Sequence, residues 1–125
     1  MADTAPLEVL VVDDDESVRR VLRLGLRNLG LSVRLAATGQ EAVDLYREHR
    51  DSIGVVLLDV QMPEMNGPQT LAALQAMDPH VRAAFMSGDT GDYAVADLLA
   101  LGAAAFIAKP PDFAELARTL RQVAG

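Results

Sequence analysis

Three aspartates at the ends of apolar runs carry the chemistry this chain can do. Asp59 closes Val55-Val56-Leu57-Leu58-Asp59, and Asp13 and Asp14 follow Val9-Leu10-Val11-Val12. Runs of four apolar residues rich in valine predict strands buried on both faces, which belong to parallel sheets covered by helices. In an open α/β sheet ligands bind beyond the carboxyl ends of the strands, so an acid there is placed for chemistry. A lone acid in that position also simply marks where a strand meets water. The pair Asp13-Asp14 decides between the two, because neighbouring parallel strands would bring all three carboxylates to one edge. Like charges so close repel and draw in protons or a cation. Carboxylates completed by water or phosphate oxygens suit Mg2+ better than a soft metal.

Two more residues stand at similar points. Ser87 follows Ala84-Phe85-Met86. A serine there is ordinarily a loop residue, but its hydroxyl is a donor short enough to reach a phosphoryl oxygen. Lys109 follows Ala105-Phe106-Ile107-Ala108 and precedes Pro110, where a cis peptide bond is accessible. Most lysines only solvate a surface.

With Asp13-Asp14, the segment Leu58-Asp59-Val60-Gln61-Met62-Pro63-Glu64-Met65-Asn66-Gly67, Ser87 and Lys109-Pro110 in this order, the sequence resembles the receiver domain of two-component response regulators. The likeness is to receivers such as the single-domain chemotaxis type, and it covers about residues 7–123. It implies that Asp59 is the phosphoacceptor, a nucleophile toward the phosphohistidine of a histidine kinase or histidine phosphotransfer domain. It implies a Mg2+ cofactor on Asp13, Asp14, Asp59 and the Gln61 backbone carbonyl. Lys109, aimed by a cis peptide bond, and Ser87 would meet the phosphoryl oxygens. Such a domain catalyses only its own phosphorylation and dephosphorylation and is not otherwise an enzyme.

The same resemblance makes Ser87 and Phe106 a switch. Phosphorylation draws the Ser87 hydroxyl inward, the Phe106 ring turns from exposed to buried, and the face of the fourth helix, fifth strand and fifth helix then controls a downstream effector. The plainer reading of Phe106 is a core aromatic. Some positions depart from the family pattern. Pro111 stands where an aromatic often follows Lys-Pro, Phe106 lacks the hydroxyl of the commoner tyrosine, and Ala103 to Ala105 would leave a smooth surface if exposed. Gln61 and Asp89 occupy variable positions that set how long the phosphoryl group survives.

These residues need elements to position them. After Asp15 the pattern turns helical, with Val18, Val21, Leu22 and Leu29 on one face and Arg19, Arg23 and Arg27 on the other. The arginine stripe is either a solvated face or, as the resemblance implies, part of the phosphodonor docking surface. Leu31 to Ala36 reads as a second strand. Thr38-Gly39-Gln40-Glu41 has the spacing of a capping box before a helix with Ala42, Val43 and Tyr46 inward. A third helix is expected to begin near Asn66-Gly67-Pro68 and end by Asp78-Pro79. A fourth strand is expected over 81–86, and a fourth helix over about 92–101 with Val95, Leu98 and Leu99 inward and Gly102 as terminator. A fifth strand over 104–108 delivers Lys109, and a fifth helix starts near Asp112 with Glu115 as capping partner and Phe113, Leu116, Ala117, Leu120 and Val123 inward. Alternating strands and helices predict an α/β fold, a doubly wound five-stranded parallel sheet of the flavodoxin-like (βα)5 kind, as one receiver domain over residues 1–125.

Composition narrows the class. The 125 residues fit one domain with its own core, and the absence of cysteine excludes disulfides and thiolate metal sites. A net charge of −7 argues against direct nucleic-acid binding. No apolar stretch is long enough to cross a membrane and no signal segment leads the chain, so a cytoplasmic location is expected. Two other functions fit parts of the pattern. A haloacid-dehalogenase-like phosphatase also uses an aspartate nucleophile and Mg2+, but its Asp-x-Asp is here Asp59-Val60-Gln61, without the general acid. A docking module independent of phosphorylation would gain nothing from keeping repelling carboxylates.

Overall fold

The two apolar runs that carry the acids lie side by side at the centre of one parallel sheet. The computed structural model describes residues 6–88 and 93–125. Its elements are β1 (Glu8–Val12), α1 (Glu16–Asn28), β2 (Ser32–Ala36), α2 (Gly39–His49), β3 (Ile53–Asp59), α3 (Gly67–Met77), β4 (Ala83–Ser87), α4 (Val95–Ala100), β5 (Ala105–Ala108) and α5 (Phe113–Ala124). All four strand pairings are parallel, in the order β2-β1-β3-β4-β5. This is the expected flavodoxin-like doubly wound sheet, and its order reverses between β1 and β3, where such folds open a crevice for ligands.

Alternation along the strands divides the core in two. Leu10, Val12, Val56, Leu58 and Phe85 face Ala42, Val43, Tyr46, Leu71, Leu74 and Leu98 of α2, α3 and α4. On the other face Val9, Val11, Val55, Leu57, Ala84 and Met86 meet Leu22 and Leu26 of α1 and Leu116, Ala117 and Leu120 of α5. With helices on both faces, period-two patterning disappears and each central strand reads as a solid apolar run.

Helix starts follow their side-chain caps. Asp15 Oδ1 accepts from the N–H groups of Ser17 and Val18 at the head of α1. At α2, Thr38 Oγ1 accepts from Glu41 N–H, but Glu41 returns its bond to Ala37 N–H, one residue outside the expected box. A complete capping box does occur at α3, between Asn66 and Gln69. Asp112 Oδ1 accepts from Glu115 N–H at α5, and Gly102 follows α4 at φ +111° as a terminator should.

Several inward assignments fail. On α1 the buried residues are Leu22 and Leu26, whereas Val21 is 53% exposed and Leu29 also lies open. The α1 face toward the sheet is narrowed at Gly25, where the Phe113 ring of α5 packs so closely that a Cβ would strike it. Helix α4 spans Val95–Ala100 with Leu98 alone buried, leaving Val95 and Leu99 exposed. The expected start of that helix at Asp92, and Asp89, lie outside the described residues. Strand β4 runs Ala83–Ser87, so Ser87 is its last residue rather than the first of a loop. In the alanine run, Ala103 is buried, Ala105 half-buried and Ala104 exposed.

Candidate functional site

Register delivers the acids to one point. Val12 pairs with Leu58, so Asp13 and Asp59 leave the sheet on adjacent strands at the β1/β3 switch point. Asp14 follows immediately, and one carboxylate oxygen from each of Asp13, Asp14 and Asp59 lies within 4.8 Å of the others. Asp13 and Asp59 are buried while Asp14 is exposed, so the cluster opens to solvent on one side only.

From the other side, β4 and β5 bring in the remaining groups. Ser87, buried, pairs in register with Ala108, and its carbonyl accepts from Lys109 N–H at 3.1 Å. The Lys109-Pro110 bond is cis. Lys109 Nζ donates to Asp13 Oδ2 at 2.8 Å and lies 3.7 Å from Asp59 Oδ1. Thus Asp13, Asp14, Asp59, Ser87 and Lys109 all stand at one sheet edge. Gln61 is exposed in the loop after β3, and its backbone N–H bonds to Asp59.

The electrostatics follow from this crowding. Burial, and then the charge of Asp13, push Asp59 up to about 6, with Lys109 pulling the other way. Burial would lower Lys109, but its bond to Asp13 and the charge of Asp59 outweigh that and raise it. Hard oxygens, a shared negative charge and an open side fit a Mg2+ ion, with Asp13, Asp14 and Asp59 as holders.

The loops are held by local chemistry. Asp13 N–H donates to Ala36 O, Asp13 Oδ1 accepts from Asp15 N–H, and Arg19 Nη1 donates to Asp13 O at 2.8 Å. Arg19 is half-buried by this contact and therefore does not belong to a free stripe with the exposed Arg23 and Arg27. Its partner is a backbone carbonyl, which no spacing of residue types announces. On the far side, Gly67 N–H donates to Val60 O, and a Cβ at Gly67 would run into the Asp59 carbonyl oxygen.

Phe106 is half-buried, opposite Phe85 in register, and packs against the α2-α3-α4 side of the core. Beside Lys109 an apolar cleft of about 410 Å3 runs between α1 and the start of α5, lined by Val18, Val21, Pro110, Pro111 and Phe113 among others. The exposed Val21 is therefore one wall of a cleft.

Fold and site together define a flavodoxin-like α/β domain with an acidic, lysine-bearing cleft at its strand switch point. The family model of the response regulator receiver domain matches residues 9–121, and the chain belongs to that family. It is 35% identical over 116 residues to the transcriptional regulatory protein ZraR of Escherichia coli, covering 93% of this chain and 26% of ZraR. It is 34% identical to the sensor kinase CckA of Brucella abortus, covering 92% of this chain and 12% of CckA. The chain thus spans only a minor part of these curated relatives. Among solved structures, the CheX-CheY-BeF3-Mg complex of Borrelia burgdorferi matches with a TM-score of 0.86 and 34% identity over 94% of this chain and 89% of that one.

Proposed function

We propose that this chain is the phosphoacceptor switch of a two-component phosphorelay and that Asp59 is the residue modified. The observation that carries the reading is the meeting of Asp59 with Asp13, Asp14 and Lys109 in one cleft at the sheet's switch point. Membership of the receiver family supports it.

A carboxylate oxygen of Asp59 attacks the phosphorus of a phosphohistidine on a histidine kinase or histidine phosphotransfer domain. The new O–P bond forms as the P–N bond breaks, and the imidazole leaves. Asp13, Asp14, Asp59 and the Gln61 carbonyl would hold Mg2+, a choice supported by the Mg in the similar CheY complex. When bound, that ion supplies positive charge to the equatorial phosphoryl oxygens. Lys109 supplies a second positive charge from the β5 side, already within 3.7 Å of Asp59. Ser87 donates its hydroxyl to a phosphoryl oxygen. The chain acts on itself alone, by phosphorylation and dephosphorylation.

Ser87 and Phe106 then couple the site to output. Ser87 ends β4, Phe106 lies on the neighbouring β5 with its ring half-buried against the core, and the space Ser87 vacates lets that ring turn inward. The readout face includes Val95, Leu99 and Leu101, apolar and exposed near β5. Its reader is a downstream effector protein or domain, in keeping with similar segments in a sensor kinase and a transcriptional regulatory protein. The phosphodonor docks at α1 and the cleft of Val18, Val21 and Phe113. With −7 net charge the domain does not contact nucleic acid itself. A cytoplasmic place fits an acceptor of phosphoryl groups from histidine kinases.

Intact mass after incubation with Mg2+ and acetyl phosphate tests the reading. Wild type gains one phosphoryl group and Asp59→Ala gains none. Equal labelling of both would move the acceptor elsewhere, and an unlabelled wild type that also fails to bind Mg2+ would favour a phosphorylation-independent docking module.

A further inference from the structure

The Asp13 backbone is held at both of its polar groups, and the one that belongs to the Asp13-Asp14 peptide, its carbonyl, is held by Arg19. Asp13 N–H is fixed to Ala36 O of β2, and Asp13 O accepts from Arg19 Nη1 at 2.8 Å. Asp15, next along, caps α1 with its side chain, while its carbonyl accepts from Arg19 N–H. Arg19 therefore ties the acidic loop to the first two turns of α1 twice, once through its backbone and once through its guanidinium. Asp13 has further support from Lys109 and Asp15. Asp14 is exposed, and where its carboxylate points depends on the peptide that Arg19 holds.

We infer that Arg19 is a positioning residue for the metal site, orienting the Asp13-Asp14 peptide so that the Asp14 carboxylate joins Asp13 and Asp59. This rests on the reading of those three acids as the Mg2+ holders. The guanidinium contributes through geometry, because a planar fork fixes a carbonyl's direction where a flexible ammonium does not. Its charge works the other way. A cation beside a metal site repels the metal, so a purely electrostatic role predicts that removing Arg19 tightens Mg2+ binding, and a positioning role predicts that it weakens it. The two roles differ in sign.

Arg20, one residue along, is the internal control. It carries the same charge on the same helix, but it is exposed and pairs with the exposed Glu16 at 3.6 Å.

The test is Mg2+ affinity by isothermal titration calorimetry for wild type, Arg19→Met, Arg19→Lys and Arg20→Met, with the thermal melt of each in EDTA as a check on folding. Arg19→Met is expected to bind Mg2+ about tenfold more weakly, the low end of the loss when groups that orient metal ligands are removed. Arg20→Met should bind as wild type or slightly tighter. Should Arg19→Met fail to fold, Arg19→Lys decides: it keeps the charge and loses the fork, and it is expected to bind more weakly than wild type. Wild-type or tighter binding by Arg19→Met, or by Arg19→Lys in that event, overturns the inference and leaves the site reading intact. A wild type that binds no Mg2+ overturns both.

Discussion

Lys109 reaches farther toward Asp13 than toward Asp59, its Nζ standing 2.8 Å from Asp13 Oδ2 and 3.7 Å from Asp59 Oδ1. The ammonium is thus counter-ion to the most deeply buried acid of the site, which is only 1% exposed. A buried carboxylate stripped of its partner is costly. Without metal, Lys109→Met is expected to lose about 1–3 kcal/mol, less than for a fully buried pair because the lysine is partly solvated. Because a competing cation has gone, Mg2+ binding should hold or tighten even as labelling by acetyl phosphate drops by about a hundredfold or more, the scale of losing one charge-stabilising donor. Calorimetry beside mass spectrometry separates the two, and weaker Mg2+ binding would show that Lys109 organises the acids instead of competing for them.

Asp59 gives the metal-free domain a pH dependence of definite sign. Its carboxyl is pushed up to about 6, first by burial and then by Asp13, so the folded state holds this proton more tightly than the unfolded chain. The stability this group contributes is therefore fully present below the ordinary carboxylate range near pH ~4 and is lost as pH rises through about 6, where the charge is forced on. Asp59→Asn, which never ionises, should be more stable than wild type at pH 7.5 in EDTA by about 1–2 kcal/mol, with the gain vanishing toward pH ~4. Urea melts at the two pH values check it. A gain that persists at low pH would assign the effect to packing.

How much of this was legible beforehand depended on whether the determinant was a residue type or a direction. The strands were readable because burial on both faces leaves solid apolar runs, and the acids were readable because they end those runs. Ser87 and Lys109 also follow apolar segments, but position alone left them a loop serine and a surface lysine, and it was the resemblance to receiver domains that singled them out. Val21 and Leu29 were misassigned because helical spacing gives a face without saying how wide its contact is, and Gly25 lets Phe113 close part of that face. Helix α4 is apolar at every position but Asp97, yet only Leu98 is buried, so its pattern overstates its burial. Arg19 looked like one member of a stripe, since nothing in residue type tells that a side chain turns back to a carbonyl six positions earlier.

Mg2+ should stabilise the fold. An ion that binds only the native state at ten times its dissociation constant adds about 1.4 kcal/mol, and it also relieves the repulsion among Asp13, Asp14 and Asp59. Wild type should melt higher with Mg2+ than in EDTA, and Asp13→Ala should lose that increment. If saturating Mg2+ leaves the wild-type melt unchanged while Asp13→Ala raises it, the acids are neighbours without being a metal site.

A second partly buried polar contact lies away from the site. Tyr46 Oη donates to Asp78 Oδ2 at 2.7 Å, tying α2 to the end of α3, and Arg50 approaches the same carboxylate at 3.5 Å. Burial and this bond raise the tyrosine, and the bond holds Asp78 below its usual range. Tyr46→Phe keeps the ring in the core and removes only the hydroxyl, so it should cost about 1 kcal/mol. Asp78 contributes stability above its unfolded-state value that is lost as pH falls, so the wild-type advantage should shrink in acid. A denaturant melt at neutral and acid pH measures both, and labelling of Asp59 should be unchanged.

Gly67 is where fold and site are most tightly joined. It opens α3 directly behind the strand that ends in Asp59, and its N–H donates to Val60 O at 2.9 Å. A methyl group added there would lie 3.0 Å from Val60 Cα and 3.1 Å from the Asp59 carbonyl carbon, with the Asp59 oxygen closer still. All of these are backbone atoms, so no side chain can swing away and either α3 or the Asp59 backbone must move. Gly67→Ala should therefore destabilise the domain by about 1–3 kcal/mol, although alanine favours a helix, because overpacking outweighs propensity at a backbone contact. It should also slow labelling of Asp59 beyond what the stability loss explains, since the displaced atoms belong to the proposed acceptor residue itself. Labelling rates measured well below the melting temperature distinguish the cases. A variant that melts lower but labels at the wild-type rate would mean that α3 yields and the acceptor strand does not.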